Sequence, residues 1–86
     1  MTLNVLDLFS GIGGFSLGLE RTGGFQTVAF CEIEKHPQSI LRKHWPDVPI
    51  YNDITELKYD SERLYDRRTP ESAQQTTVDV VCGGFP

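Results

Sequence analysis

Leu3-Asn4-Val5-Leu6-Asp7-Leu8-Phe9-Ser10-Gly11-Ile12-Gly13-Gly14-Phe15 joins an apolar run to a cluster of glycines. Val5, Leu6, Leu8 and Phe9 form a nearly continuous apolar run, the pattern of a strand covered on both faces. The strand is expected over 3–9 and runs straight into a glycine-rich turn. Phe15, Leu17, Gly18, Leu19 and Glu20 then start a helix, which Gly23-Gly24 ends with a C-cap signal.

The rest of the chain repeats this alternation. Gln26 to Cys31 carries the β-formers Thr27, Val28 and Phe30 and reads as a second strand. Pro37 suits the first turn of a second helix, which runs through Ile40 and Leu41 to about His44 and stops at Pro46. Val48 to Tyr51 is a short third strand. Tyr59 to Thr77 is polar, has no clean period, and is expected to be a loop or insertion, or to hold a short helix over Ser61 to Tyr65. Val78 to Cys82 is a last apolar strand before Gly83-Gly84-Phe85-Pro86.

Strands alternating with helices imply an α/β fold with parallel strands and right-handed crossovers. Ligands in such sheets sit at the carboxyl ends of the strands. The unusual clusters fall there: Ser10 to Gly14, Glu32-Ile33, Asp53-Ile54 and Gly83 to Pro86.

Each cluster has a chemical reading and a plainer one. Gly11, Gly13 and Gly14 let a ligand approach the main chain, and the helix after them aims free N–H groups at the turn. They also suit a tight turn with no ligand. Glu32 lies about twenty residues on, where a carboxylate accepts both hydroxyl protons of a ribose; otherwise it is a solvated acid, as Glu34 is. Ile33 covers an adenine face or packs in the core. Asp53 accepts from an exocyclic amine such as adenine N6, or caps a helix, since Asp53-Ile54-Thr55-Glu56 has capping-box spacing.

The 86 residues suffice for one small domain, with 38% apolar and 23% charged residues. A net charge of −4 argues against a stand-alone nucleic-acid binder, because phosphate contacts require excess Lys and Arg. No apolar run is long enough for a membrane span. Cys31 and Cys82 form no disulfide framework or zinc spacing, so no metal site is expected and a reduced, intracellular location is. If a central strand separates them, their α-carbons lie about 9.5 Å apart, too far for a disulfide. Cys82 reads as a buried, inert strand thiol.

Asp7-Leu8-Phe9-Ser10-Gly11-Ile12-Gly13-Gly14-Phe15, followed by Leu17 and Leu19-Glu20, resembles the first motif of DNA cytosine-5 methyltransferases. In that family this motif binds the methionine end of S-adenosylmethionine. Glu32-Ile33 resembles the second motif, a ribose-binding acid with an apolar adenine neighbour; many members have an aromatic residue in place of Ile33. Asp53-Ile54 resembles the third, which contacts adenine, and Gly83-Gly84-Phe85-Pro86 resembles the start of the fourth.

The resemblance implies a Rossmann-like methyltransferase fold with a partial parallel sheet ordered 3-2-1-4. It also implies a cofactor site of Phe9, Ser10, Gly11, Ile12, Gly13, Gly14, Glu32, Ile33, Asp53, Ile54 and Pro86. The cofactor is S-adenosyl-L-methionine, leaving as S-adenosyl-L-homocysteine. The implied activity is methyl transfer to C5 of cytosine in double-stranded DNA, in a cytoplasmic restriction-modification setting of a bacterium, archaeon or phage. The family's catalytic Cys follows the proline directly, so the chain ending at Pro86 is expected to be a fragment without activity of its own.

Two other readings compete. A nicotinamide-dependent fragment also places glycines after strand one and an acid after strand two, but Ser16 stands where the third glycine of that fingerprint falls. A non-catalytic remnant or binding module is the other. The two helices are expected on one face, leaving the opposite face bare. The Val78–Cys82 edge is expected to self-associate or to pair with another chain.

Overall fold

A computed structural model describes residues 2–9 and 11–83. Strand β1 (Leu3–Leu8), helix α1 (Gly14–Arg21), strand β2 (Phe25–Cys31), helix α2 (Lys35–His44) and the short strand β3 (Ile50–Tyr51) follow in order. A hairpin comes next, β4 (Leu57–Asp60) and β5 (Arg63–Asp66), then β6 (Gln74–Gln75) and β7 (Val80–Gly83). All pairings among β1, β2, β3 and β7 are parallel, in the order β3-β2-β1-β7. With β7 as the fourth strand of the parallel sheet, this is the expected 3-2-1-4 order. Because β1 lies between β2 and β7, Cys31 and Cys82 stand two strands apart, and both are free thiols.

Both helices lie on one face. Asp7 of β1 is 1% exposed and accepts a 2.7 Å hydrogen bond from the Ser16 hydroxyl of α1. The Trp45 indole N–H, just past α2, donates to Glu20 Oε1 of α1 at 2.9 Å. The other Glu20 oxygen accepts from the Thr27 backbone N–H of β2 at 3.0 Å. Glu20 therefore ties α1 to both β2 and α2. The Trp45 ring meets the Phe30 ring of β2 edge-on at 5.1 Å, a pairing worth about 0.5–1.5 kcal/mol beyond its buried area. Arg42, Lys43 and His44 occupy the last turn of α2, where the negative end of the helix dipole favours cations.

The opposite face is not bare. Leu6 and Ala29 pack there against Leu64 of β5, with Leu8, Tyr51, Leu57 and Val78 around them. The covering layer is a small antiparallel sheet, ordered β4-β5-β6. So the expectation of a loop or short helix over Ser61–Tyr65 is replaced by a hairpin. Leu64 is the one fully buried residue of this charged stretch, and its burial contributes about 1.5–3 kcal/mol. A single anchor between charged neighbours leaves no period to read. The hairpin forms because the parallel sheet offers it an apolar surface.

The hairpin turn is strained. Ser61 and Glu62 link Asp60 to Arg63 with φ of 51° and 58°, torsions that the two-residue turn requires and that Asn-Gly adopts more readily. Replacing Ser61 with Asn and Glu62 with Gly together is expected to stabilise the chain by about 1 kcal/mol, read as a higher urea midpoint. An unchanged or lower midpoint would show that the turn stores no such strain.

Candidate functional site

The carboxyl ends of β1, β2 and β3 enclose a pocket of about 330 Å³. Phe9 and Gly11 border it from the β1 side, Cys31 to Glu34 from the end of β2, and Asn52, Asp53 and Ile54 from beyond β3. Right-handed crossovers bring these ends to one edge of the sheet.

Glu32 is the hub. It is 9% exposed, and both carboxylate oxygens hold backbone donors. Oε1 accepts from the Gly11 N–H at 2.8 Å, which ties the end of β2 to the glycine turn. Oε2 accepts from the Glu34 N–H, also at 2.8 Å. Each oxygen keeps a further lone pair. The Glu34 side chain is exposed and makes no cap to α2.

Asp53 caps a short 3-10 turn over Ile54–Glu56. Its Oδ1 accepts from both the backbone N–H and the hydroxyl of Thr55, at 2.9 and 2.6 Å. These bonds hold its pKa below the usual carboxylate value, so it is an acceptor at neutral pH. The cap takes Oδ1, and Asp53 also lines the pocket. Glu56 does not close a capping box; its carboxylate pairs with Arg67.

Apolar side chains complete the lining. Ile33 is 70% exposed at the rim, so it is no core residue. Phe9 takes a left-handed φ of 53°, unusual for a bulky residue; strain of this kind clusters at functional sites. Cys31 lies at the base of the pocket, its thiol pushed up to about 11 by burial, then by Asp53 and Glu32. Cys82, on β7, is likewise pushed up to about 11 by burial and by Asp7, and a thiol held protonated is a poor nucleophile.

Of the expected site residues, Phe9, Gly11, Glu32, Ile33, Asp53 and Ile54 converge on the pocket. Ile12, Gly13 and Gly14 do not line it. Ile12 is 62% exposed, and Gly13 packs beneath Trp45 and Leu41. Ser10 and Pro86 lie outside the described residues, as do Gly84 and Phe85. Sequence reasoning missed Cys31 and Asn52 as lining residues, and Gln38 behind them. Gln38 had a legible signal, because an amide three residues before Leu41 shares its inward face.

Glu32, Glu34 and Asp53 are three acidic residues around the pocket, and among the described residues no Lys or Arg lines it. The site therefore favours ligands rich in donors or positive charge and opposes phosphates. Among the described residues, no helix is long and apolar enough to cross a membrane.

A family model for C-5 cytosine-specific DNA methylases matches residues 3–86. The chain is 40% identical over 86 residues to Type II methyltransferase M1.HphI of Haemophilus parahaemolyticus, covering 100% of this chain and 21% of that protein. It is 51% identical over 84 residues to Type II methyltransferase M.HgiBI of Herpetosiphon aurantiacus, covering 94% of this chain and 16% of that protein. To Type II methyltransferase M2.BsuMI of Bacillus subtilis it is 34% identical over 84 residues, covering 98% and 18%. The chain thus spans about a fifth of the length of these relatives.

Proposed function

Because the chain belongs to the C-5 cytosine-specific DNA methylase family, we propose that residues 1–86 form the N-terminal part of a methyltransferase catalytic domain. Its pocket takes S-adenosyl-L-methionine and releases S-adenosyl-L-homocysteine. The observation that carries this reading is the acidic, phosphate-averse lining set between apolar walls. A sulfonium cofactor brings positive charge, an amine, two ribose hydroxyls and an adenine to such a site.

Glu32 receives the ribose hydroxyls on its remaining lone pairs. Asp53 Oδ2 receives the adenine amine, and Ile33 and Ile54 cover the ring. Phe9 and Gly11 hold the methionine end, whose carboxylate reaches out of the pocket toward the turn before α1, where the helix N-terminus favours it. Bound there, the cofactor supplies an electrophilic methyl group. The part of these residues is orientation, which holds the methyl in line for attack. The acceptor is C5 of a cytosine flipped out of double-stranded DNA, reached in a protein longer than this chain. With a net charge of −4, the segment contributes little DNA contact itself. A cytoplasmic restriction-modification role accompanies this reading. The outer edge of β7 has no strand beside it among the described residues, and pairing with further chain, or with a second copy, is proposed there.

Calorimetric titration of the chain with S-adenosylhomocysteine and with NAD tests the reading. Binding of the first without the second is expected. Preference for NAD would replace it with the dinucleotide reading, and binding of neither would leave a non-catalytic remnant.

A further inference from the structure

Gln38 is a buried amide on α2, 6% exposed. Its Nε2 donates to the backbone carbonyl of Glu32 and, at 2.6 Å, to Asn52 Oδ1. One nitrogen thus joins the end of β2 to the residue that follows β3. The orientation of both amides follows from chemistry. A backbone carbonyl only accepts, so the Gln38 atom facing Glu32 must be the nitrogen. The Asn52 atom facing that same nitrogen must then be the oxygen. This leaves Asn52 Nδ2, which has no partner among the described residues, as a donor for the pocket that Asn52 lines. Asp53, an acceptor, is next in the chain.

We propose that Gln38 is a positioning residue that sets Asn52 as a donor beside the Asp53 acceptor, and that this pair selects a 6-aminopurine over a 6-oxopurine. Adenine presents an amine donor at position 6 next to a ring-nitrogen acceptor, the complement of Asp53 and Asn52. Hypoxanthine presents an oxygen at position 6 and a protonated N1, so it sets an acceptor against the carboxylate. The inference rests on the cofactor reading above and deepens it.

The test titrates the chain, unaltered and as Asn52→Asp, Asn52→Ala and Gln38→Leu variants, with S-adenosylhomocysteine and with its inosine counterpart. Melting of each ligand-free variant is followed in parallel. The unaltered chain is expected to prefer the adenine ligand by at least about tenfold. Asn52→Asp keeps an acceptor for Gln38 but turns an acceptor to the ligand. It should lose about three- to tenfold in adenine affinity and narrow the preference, with little change in melting because Asn52 is exposed. Gln38→Leu and Asn52→Ala should also narrow it; if Gln38→Leu does not fold, the exposed Asn52 variants decide. A merely structural role for Gln38 would weaken both ligands alike. An unchanged preference in the Asn52 variants overturns the pair's role and leaves the cofactor reading intact. Failure of the unaltered chain to bind either ligand overturns both.

Discussion

Gly13→Ala is expected to destabilise the chain by about 2–5 kcal/mol. Gly13 sits at φ 87° before the first turn of α1, a torsion that costs a side-chain-bearing residue about 1–2 kcal/mol. An added Cβ would stand 2.7 Å from Trp45 Cζ3 and 2.9 Å from Leu41 Cδ2. Trp45 cannot retreat freely, because its N–H is bound to Glu20 and its ring is against Phe30. Overpacking of that kind adds about 1–3 kcal/mol. In so small a domain the sum is a large part of the total stability, and the thermal midpoint should fall by roughly 10 °C or more. Gly14→Ala is the internal control. A Cβ there meets nothing within 4 Å, and Ala favours the helix by up to about 1 kcal/mol. Equal melting of the two variants would show that the α1–α2 contact is looser than described.

Glu32→Ala is expected to weaken S-adenosylhomocysteine binding by about 1.5–3 kcal/mol, roughly 10- to 150-fold, and Glu34→Ala to have far less effect. Glu32 does two things at once. It offers charged acceptors to the pocket, and it holds the Gly11 and Glu34 N–H groups in place. Glu32→Gln should restore little. Its amide must turn an N–H donor toward one of those two donors, so one contact becomes repulsive. Titration of the three variants, with melting curves of the ligand-free forms, separates binding from folding. Equal losses from Glu32→Ala and Glu34→Ala would identify the wrong acid.

The local order of the chain was legible without coordinates. The apolar run of β1, the glycines after it and the stops at Gly23-Gly24 and Pro46 are punctuation that acts over a few residues. From that alternation, the handedness of crossovers leads to the order β3-β2-β1-β7 and to both helices on one face. The placing of Phe9, Gly11, Glu32, Ile33, Asp53 and Ile54 at one edge follows from the same topology.

Other features were decided only in three dimensions. The stretch from Leu57 to Gln75 has no readable period of its own. It becomes strand because Leu64 and Leu57 find Leu6, Leu8 and Ala29 on a surface assembled from β1 and β2. The third strand, expected over Val48–Tyr51, forms a ladder only at Ile50–Tyr51, where β2 lies close enough. An extra residue, Val28, enters β2 between the partners of Val5 and Leu6. Gly13 was legible as a turn glycine, but the Trp45 ring that its lack of a side chain admits, 32 positions on in the sequence, was not. Glu32 was readable as an acid near a ribose, but its bond to Gly11, 21 positions away, was not. A sequence window reports torsional preference and burial period, which are properties of neighbours along the chain. Contacts such as these depend on the distance between elements, and only packing sets that distance.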